Sequence, residues 1–182
     1  MLAYKGFHKD LTCTLGKGRY QYRENEWHEE AKANCMSNGY HCAENPLDCL
    51  TYYGNWDESA YYLVEAGGDI DEDGADSKIS CTRIKLMKRL DIYDFIAAAV
   101  EYICNHPERR IKAVNTTKIQ VARDMGKARE NGGVIVYGEA PRATGPVGSV
   151  IALVKIRQGE LISISIQRID GKKYKPDRWY GI

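Results

Sequence analysis

Three cysteines, Cys35, Cys42 and Cys49, recur at an interval of seven, with His28 and His41 close by. Thiolates and imidazoles so spaced suggest zinc, but a zinc knuckle takes two ligands from one tight turn, and the chain has no Cys-x-x-Cys pair. The six cysteines therefore read as reduced, buried thiols, with no metal and no cofactor expected. A second candidate is the acidic run from Gly67 to Asp76. Asp69, Asp71 and Asp73 take the first, third and fifth positions of an EF-hand loop and Gly74 the sixth. The match then fails, because Ser80 stands where the bidentate Glu belongs, Asp76 replaces an apolar residue, and the flanks read as strands. What remains is a hairpin tip carrying a negative patch, Asp69, Asp71, Glu72, Asp73 and Asp76, suited to a basic partner surface. Glu24, Glu26, Glu29 and Glu30 form a second choice. The third candidate is basic. Lys112, Lys118, Arg123, Lys127, Arg129 and Arg142 cluster where Asp124 and Glu130 are the only carboxylates from Lys112 to Val136. Such a cluster is either a solvated face or a contact for nucleic-acid phosphates. No Ser-His-Asp order, Walker loop or pair of metal-binding carboxylates stands out, so no catalytic residue is assigned.

These residues need a frame to hold them. The chain has 182 residues, 43% of them apolar, with 26 basic side chains against 25 acidic ones. That suffices for a core, in one domain or in two small lobes, and a formal charge of +1 excludes a uniformly basic or acidic protein. The first residues lack an apolar signal core, and no run approaches the ~18 apolar residues of a membrane helix, so the cytoplasm is the expected location. Gly39 to Tyr53 reads as a strand, Tyr40 to Ala43, running into a helix capped by Asn45 with Pro46 at its first position. Leu2 to Phe7 predicts a first strand, continued by Leu11 to Leu15 before Gly16 and Gly18 break the chain. Tyr20, Tyr22 and Trp27 fit a strand with one wet face, and Glu26 to Met36 fits a helix equally well. Ala60 to Ala66 and Ser77 to Leu86 predict an antiparallel pair. Asp91 to Cys104 is an amphipathic helix, Asp91 its N-cap and Ile92, Phe95, Ile96, Ala99, Val100 and Ile103 its apolar stripe, ended by Asn105-His106-Pro107. The basic stretch from Glu108 to Thr117 predicts a lobe boundary, giving 1–107 and 108–182. Beyond it Val134 to Tyr137, Val147 to Ile156 and Leu161 to Ile169 are strands, the last alternating isoleucine with serine. Asp170-Gly171 predicts a two-residue hairpin returning as a strand over Lys172 to Lys175, with Trp179 and Tyr180 as anchors. The fold class expected is α+β: a mixed or antiparallel sheet with a packed helix, then a glycine-punctuated, mostly β lobe.

Four stretches carry a resemblance. Tyr4-Lys5-Gly6-Phe7, Gly39-Tyr40-His41-Cys42-Ala43-Glu44-Asn45-Pro46-Leu47-Asp48, Asp76-Ser77-Lys78-Ile79 and Ile169 through Asp177 resemble a family of phage and prophage proteins from gut Firmicutes. Members often carry Gly-Ala-Ala-Ser-Asn-Thr-Gly-like repeats between the lobes, and Gly138 to Gly145 resembles the end of such an array. In size and phage character the family resembles type II anti-CRISPR inhibitors. That likeness implies a protein that binds the guide-loaded type II CRISPR-Cas effector nuclease with its guide RNA and blocks binding or cleavage of target DNA, away from any membrane. In that setting the acidic patch would occupy the nuclease's basic DNA channel as a nucleic-acid mimic, a conformational block away from the channel being the equal alternative, and the basic cluster, above all Lys118, Arg123, Lys127, Arg129 and Arg142, would meet phosphates. A rival likeness joins Tyr4-Lys5-Gly6 and Gly39 to Ala43 to the nicotinamide-pocket strands of ADP-ribosyltransferases. It makes Glu65 the nearest candidate for a catalytic carboxylate, although a His or Arg is expected where Lys5 stands.

Overall fold

The computed structural model describes residues 1–14, 18–35, 37–72 and 76–182. Leu15, Gly16, Met36, Asp73 and Gly74, which figure in the expectations above, lie outside them. The chain divides into two compact units, Met1–Leu90 and Asp91–Ile182. Both strands and helices are present, so the fold is α+β as expected. Among the described residues no helix is long and apolar enough to cross a membrane.

The first unit is antiparallel. Its strands are β1 (Leu2–His8), β2 (Thr12–Cys13), β3 (Tyr20–Gln21), β4 (Trp27–Glu29), β5 (Tyr40–Ala43), β6 (Ser59–Glu72) and β7 (Lys78–Arg89), with a one-turn helix α1 (Pro46–Cys49) after β5. β1 pairs with β6 on one side and β5 on the other, and β5 and β6 both pair with β7, so the ladder closes on itself. Closure removes the free edges that an open sheet of these four strands would otherwise expose. Because side chains alternate along a strand, one set points inward: Ala3, Lys5 and Phe7 from β1, Tyr40 and Cys42 from β5, Tyr62, Val64 and Ala66 from β6, and Ile79 and Cys81 from β7. α1 starts as its sequence dictates. The Asn45 side chain accepts the Leu47 N–H at 3.0 Å and Pro46 occupies the first turn. Asp48 then accepts the Ser77 hydroxyl at 2.7 Å, tying α1 to the start of β7.

β6 runs further than its apolar residues predict. After Gly67 and Gly68 the register shifts, Gly68 taking φ +72°, and pairing resumes with Ile70 opposite Cys81. Asp69, Asp71 and Glu72 therefore lie on a bulged strand and not on a hairpin tip. The Glu26 to Met36 ambiguity resolves to the short strand β4, paired with β7.

The second unit opens with α2 (Ile92–Asn105), whose N-cap Asp91 accepts the Asp94 N–H at 2.8 Å. It continues with β8 (Val114–Asn115), β9 (Ile119–Lys127), β10 (Gly133–Thr144), β11 (Val150–Arg157), β12 (Glu160–Arg168) and β13 (Tyr180–Gly181). β9, β10 and β11 are parallel neighbours, yet no helix connects them. Instead β9 bends at Asp124 (φ +62°) and β10 near Gly138 (φ +149°), and each continues in a second layer, where Arg142 lies opposite Met125. That layer supplies the crossover which parallel strands require, so the chain climbs in short rungs like a solenoid. Val134, Val136, Ala143, Ile151, Leu153 and Ile169 fill the space between layers.

The other face of the sheet takes α2. A Cβ on Gly133 would come within 2.6 Å of Ile96 Cγ1, so only glycine lets the helix approach so closely. α2 packs on β10 and β11 and belongs with the second unit, where the sequence had placed it with the first. Its apolar stripe finds its sheet downstream, and the division falls at Leu90/Asp91, ahead of the basic stretch. The predicted return strand over Lys172 to Lys175 also fails to form. The Asp170 carboxylate accepts the N–H groups of Lys172 and Tyr174 at 2.8 and 2.9 Å, a local turn that competes with a ladder. These bonds hold the Asp170 carboxyl below its ordinary value. The closing strand is β13, paired with β10.

Candidate phosphate-facing groove and the polar interior

Three of the basic residues meet at one end of the rungs. The turn from β9 to β10 carries Lys127, Arg129 and Glu130, and with Gln120 and Asp177 these line an open groove of about 530 Å³. Lys118 reaches its rim, its Nζ donating to the Glu130 carbonyl at 2.9 Å. The cations are held in place. Lys127 Nζ lies 3.4 Å from Asp177 Oδ1, and Arg129 donates to Asn115 Oδ1 at 2.9 Å. Arg123 and Arg142 are elsewhere. Arg123 sits at the far end of the first layer beside Asp124, at 3.8 Å, and Arg142 stands on the second layer between Met125 and Gly181. The groove thus balances two cations against two carboxylates and has Lys118 in reserve at the rim.

The acidic run is not one patch. Asp71 Oδ2 accepts the Cys35 N–H at 2.6 Å, pinning the segment that crosses β7, and Asp76 caps its own turn by accepting the Lys78 N–H at 2.8 Å. Glu72 stands opposite Ile79 and Asp71 opposite Ser80, so the two carboxylates leave opposite faces of the strand. Asp69 is exposed beside the bulge, its N–H bonded to Thr82 Oγ1 at 2.9 Å, and Asp73 lies outside the described residues.

Chemically capable side chains also collect inside the first unit, and sequence reading passed over most of them. Lys5 is 7% exposed; its ammonium donates to the His41 carbonyl and lies 5.4 and 5.2 Å from the Phe7 and Tyr22 ring centres. Alternation from Ala3 to Phe7 points it inward, a signal its charge concealed. Around it, the hydrogen bond with Cys81 and then burial push the Cys42 thiol up, and burial pushes Cys49 up to about 12. His28 anchors a relay. With the proton on Nδ1 every member is satisfied: Arg23 N–H donates to Nε2 at 3.1 Å, Nδ1 to the Tyr20 hydroxyl at 3.0 Å, Tyr20 to Tyr40 at 3.1 Å, and Tyr40 to the Glu29 carbonyl at 3.1 Å. Lys5 and Glu65 do not meet. Lys5 faces Tyr62 across the ladder while Glu65 faces Leu2, which puts them on opposite sides of the sheet.

Residues 1–98 match the family model described as "Domain of unknown function (DUF7666)", more than half of the 182-residue chain. The chain belongs to that family. Searches of the curated proteins and of the solved structures find no match. The match covers the whole first unit and stops within α2, so this DUF7666 chain carries its groove outside the family segment.

Proposed function

We propose that this protein works by binding, and that its partner is a guide-loaded type II CRISPR-Cas nuclease whose target binding or cleavage it blocks. The observation that carries the binding mode is the gathering of Lys118, Lys127 and Arg129 around one groove. An exposed ion pair such as Lys127–Asp177 contributes about 0–1 kcal/mol, so a phosphate can displace the carboxylate at little cost. Arg129 uses one donor on a neutral amide oxygen and keeps others for phosphate oxygens. Guide RNA held by the nuclease presents such phosphates. The choice of this partner rests on the resemblance of the quoted stretches to phage proteins and to anti-CRISPR inhibitors.

Co-purification with a guide-loaded type II nuclease, followed by a cleavage assay, tests the reading. The variant Lys118→Gln/Lys127→Gln/Arg129→Gln should bind more weakly and with a shallower salt dependence, because each lost phosphate contact removes about one unit of salt slope. Unchanged binding and inhibition by this variant from low to high salt would remove the groove from the mechanism. If Asp69→Asn/Asp71→Asn/Glu72→Gln then abolishes inhibition, the acidic strand is the contact.

A further inference from the structure

The second layer of the rungs has an outer face of its own. Residues 125–127 of β9, 142–144 of β10 and β13 lie side by side there, Arg142 between Met125 and Gly181, Ala143 between Gly126 and Tyr180. The row through Ala143 points inward. Ala143 is fully buried between the layers, Tyr180 packs on the same cluster, and a Cβ on Gly126 would come within 2.7 Å of Val134 Cγ2. Alternation turns the flanking rows outward. One is Met125, Arg142 and Gly181; the other is Lys127 and Thr144, beside which the register of β13 sets Trp179. Met125, Lys127 and Arg142 are exposed, and so is Trp179, at 39%. We propose that this face binds single-stranded RNA, an unpaired base stacking on the Trp179 indole while Lys127 and Arg142 take phosphates beside it.

The chemistry favours a strand over a duplex. An indole presents a flat π-face that any unpaired base can cover, whereas paired bases keep their faces stacked on one another inside the helix. Lys127 and Arg142 both stand on paired strand positions, so phosphates meet cations whose backbone is already fixed, and the planar fork of Arg142 can take two phosphate oxygens at once. Charge along the approach has the same sign. The segment leading into β13 adds Lys172, Lys173, Lys175 and Arg178, all exposed. It is fastened to the layer, the Asp177 N–H donating to the Gly145 carbonyl at 3.0 Å and the Lys175 N–H to the Tyr180 hydroxyl at 2.6 Å. Most carboxylates near the face have partners of their own. Asp170 accepts N–H groups of its own turn, Asp177 lies against Lys127, and Asp124 lies beside Arg123. Glu139 stands past Arg142, at the end away from Trp179. The choice of RNA over DNA rests on the proposed nuclease, which carries a guide RNA; the stacking face does not.

Fluorescence anisotropy of labelled oligouridine with the full chain should show saturable binding, tighter than to an RNA duplex of the same length. Binding should also quench tryptophan emission, and Trp179→Phe should remove that quenching while keeping most of the affinity. Trp179→Ala should weaken binding about tenfold at an unchanged salt slope, because stacking releases no counterions. Arg142→Gln should instead make the slope of log K against log salt shallower by about 0.7, the value of one phosphate contact on a single strand. A duplex bound as tightly as the strand, oligodeoxyuridine bound more tightly than oligouridine, or Trp179→Ala binding as the parent does would each overturn the proposal. So would Arg142→Gln with the parent's slope, which keeps the test decisive where Trp179→Ala disturbs β13. The nuclease reading fails separately. A chain that binds the strand through Trp179 without blocking cleavage overturns that reading and supports this face, and a chain that blocks cleavage but binds no strand overturns this face alone.

Discussion

In the first unit Lys5, Cys42, Cys81, Tyr22, Tyr40 and Tyr62 share the interior with aliphatic side chains, whereas Val134, Val136, Ala143, Ile151, Leu153 and Ile169 fill the centre of the second. The first unit must hydrogen-bond what it buries. Cys81 Sγ donates to the Tyr40 carbonyl at 3.3 Å, Cys49 Sγ to that of Tyr4 at 3.4 Å, and the His28 relay satisfies two tyrosines. A buried polar group left unpaired costs several times what a pair contributes, so such an interior admits few arrangements. The second unit solves a simpler problem. Stacked rungs bring aliphatic residues over one another, and packing volume decides most of the fit, with Thr144 and Ser149 the buried polar exceptions.

The contrast breaks most sharply under truncation. Ile135 is fully buried on the helix side of β10, and Ile135→Ala should cost about 4 kcal/mol, mostly as an unfilled cavity. Urea unfolding gives the loss, and hydrogen exchange should place it first in β9 to β12. The polar interior predicts a different signature at Lys5. Lys5→Ala should cost about 2 kcal/mol because the aliphatic stem is buried, while Lys5→Met, which keeps the stem, should change stability by less than about 1 kcal/mol. Equal losses from both substitutions would mean that the ammonium and its bond to the His41 carbonyl dominate.

Much of this contrast is legible in the sequence, unevenly. Tyr40 to Ala43, the Asn45 cap and the α2 stripe all read correctly, because each is a local pattern with its own period or cap, whereas β12 forms as a strand but leaves Ile162 and Ile164 exposed and shifts register beside Ile162. The parallel rungs do not read, since the step from Ile119 to Gly133 differs from that between Gly133 and Val150 and leaves no repeat to detect. Neither does the ownership of α2, because an apolar stripe says that a helix is covered and not by which sheet. For the candidate groove, sequence clustering supplied Lys118, Lys127 and Arg129 together with Arg123 and Arg142. The bend at Asp124 separates the first three from the others, and a single left-handed residue is a weak signal in one chain.

Alkaline pH should sharpen the comparison. Burial raises Cys49 to about 12 from 9.0 and Tyr62 to about 12 from 10.0, so both protons are held more tightly in the folded state. Their contribution is complete below the unfolded values and is lost as pH rises through the folded ones. The thermal midpoint should therefore fall progressively above about pH 9, with exchange protection failing earlier in β1, β5 and β6 than in β10 and β11. Equal loss in both regions would show that polar burial is not what separates them.

The smallest effect expected is at Asp71, where a structural and a functional role can be pulled apart. Its carboxylate accepts the Cys35 N–H at 2.6 Å on an exposed part of β6, so Asp71→Ala should cost about 1 kcal/mol through the freed donor, which water partly satisfies. Asp71→Asn keeps an acceptor oxygen in the same place and should keep most of that stability. Charge and anchoring are thereby separated in one pair of variants. If Asp71→Asn folds like the parent and blocks the nuclease equally well, the residue serves the segment around Cys35 and the acidic strand is no mimic of nucleic acid. If it folds like the parent and loses the block, negative charge on β6 is what the partner reads, and the groove at Lys127 and Arg129 yields its place as the contact surface.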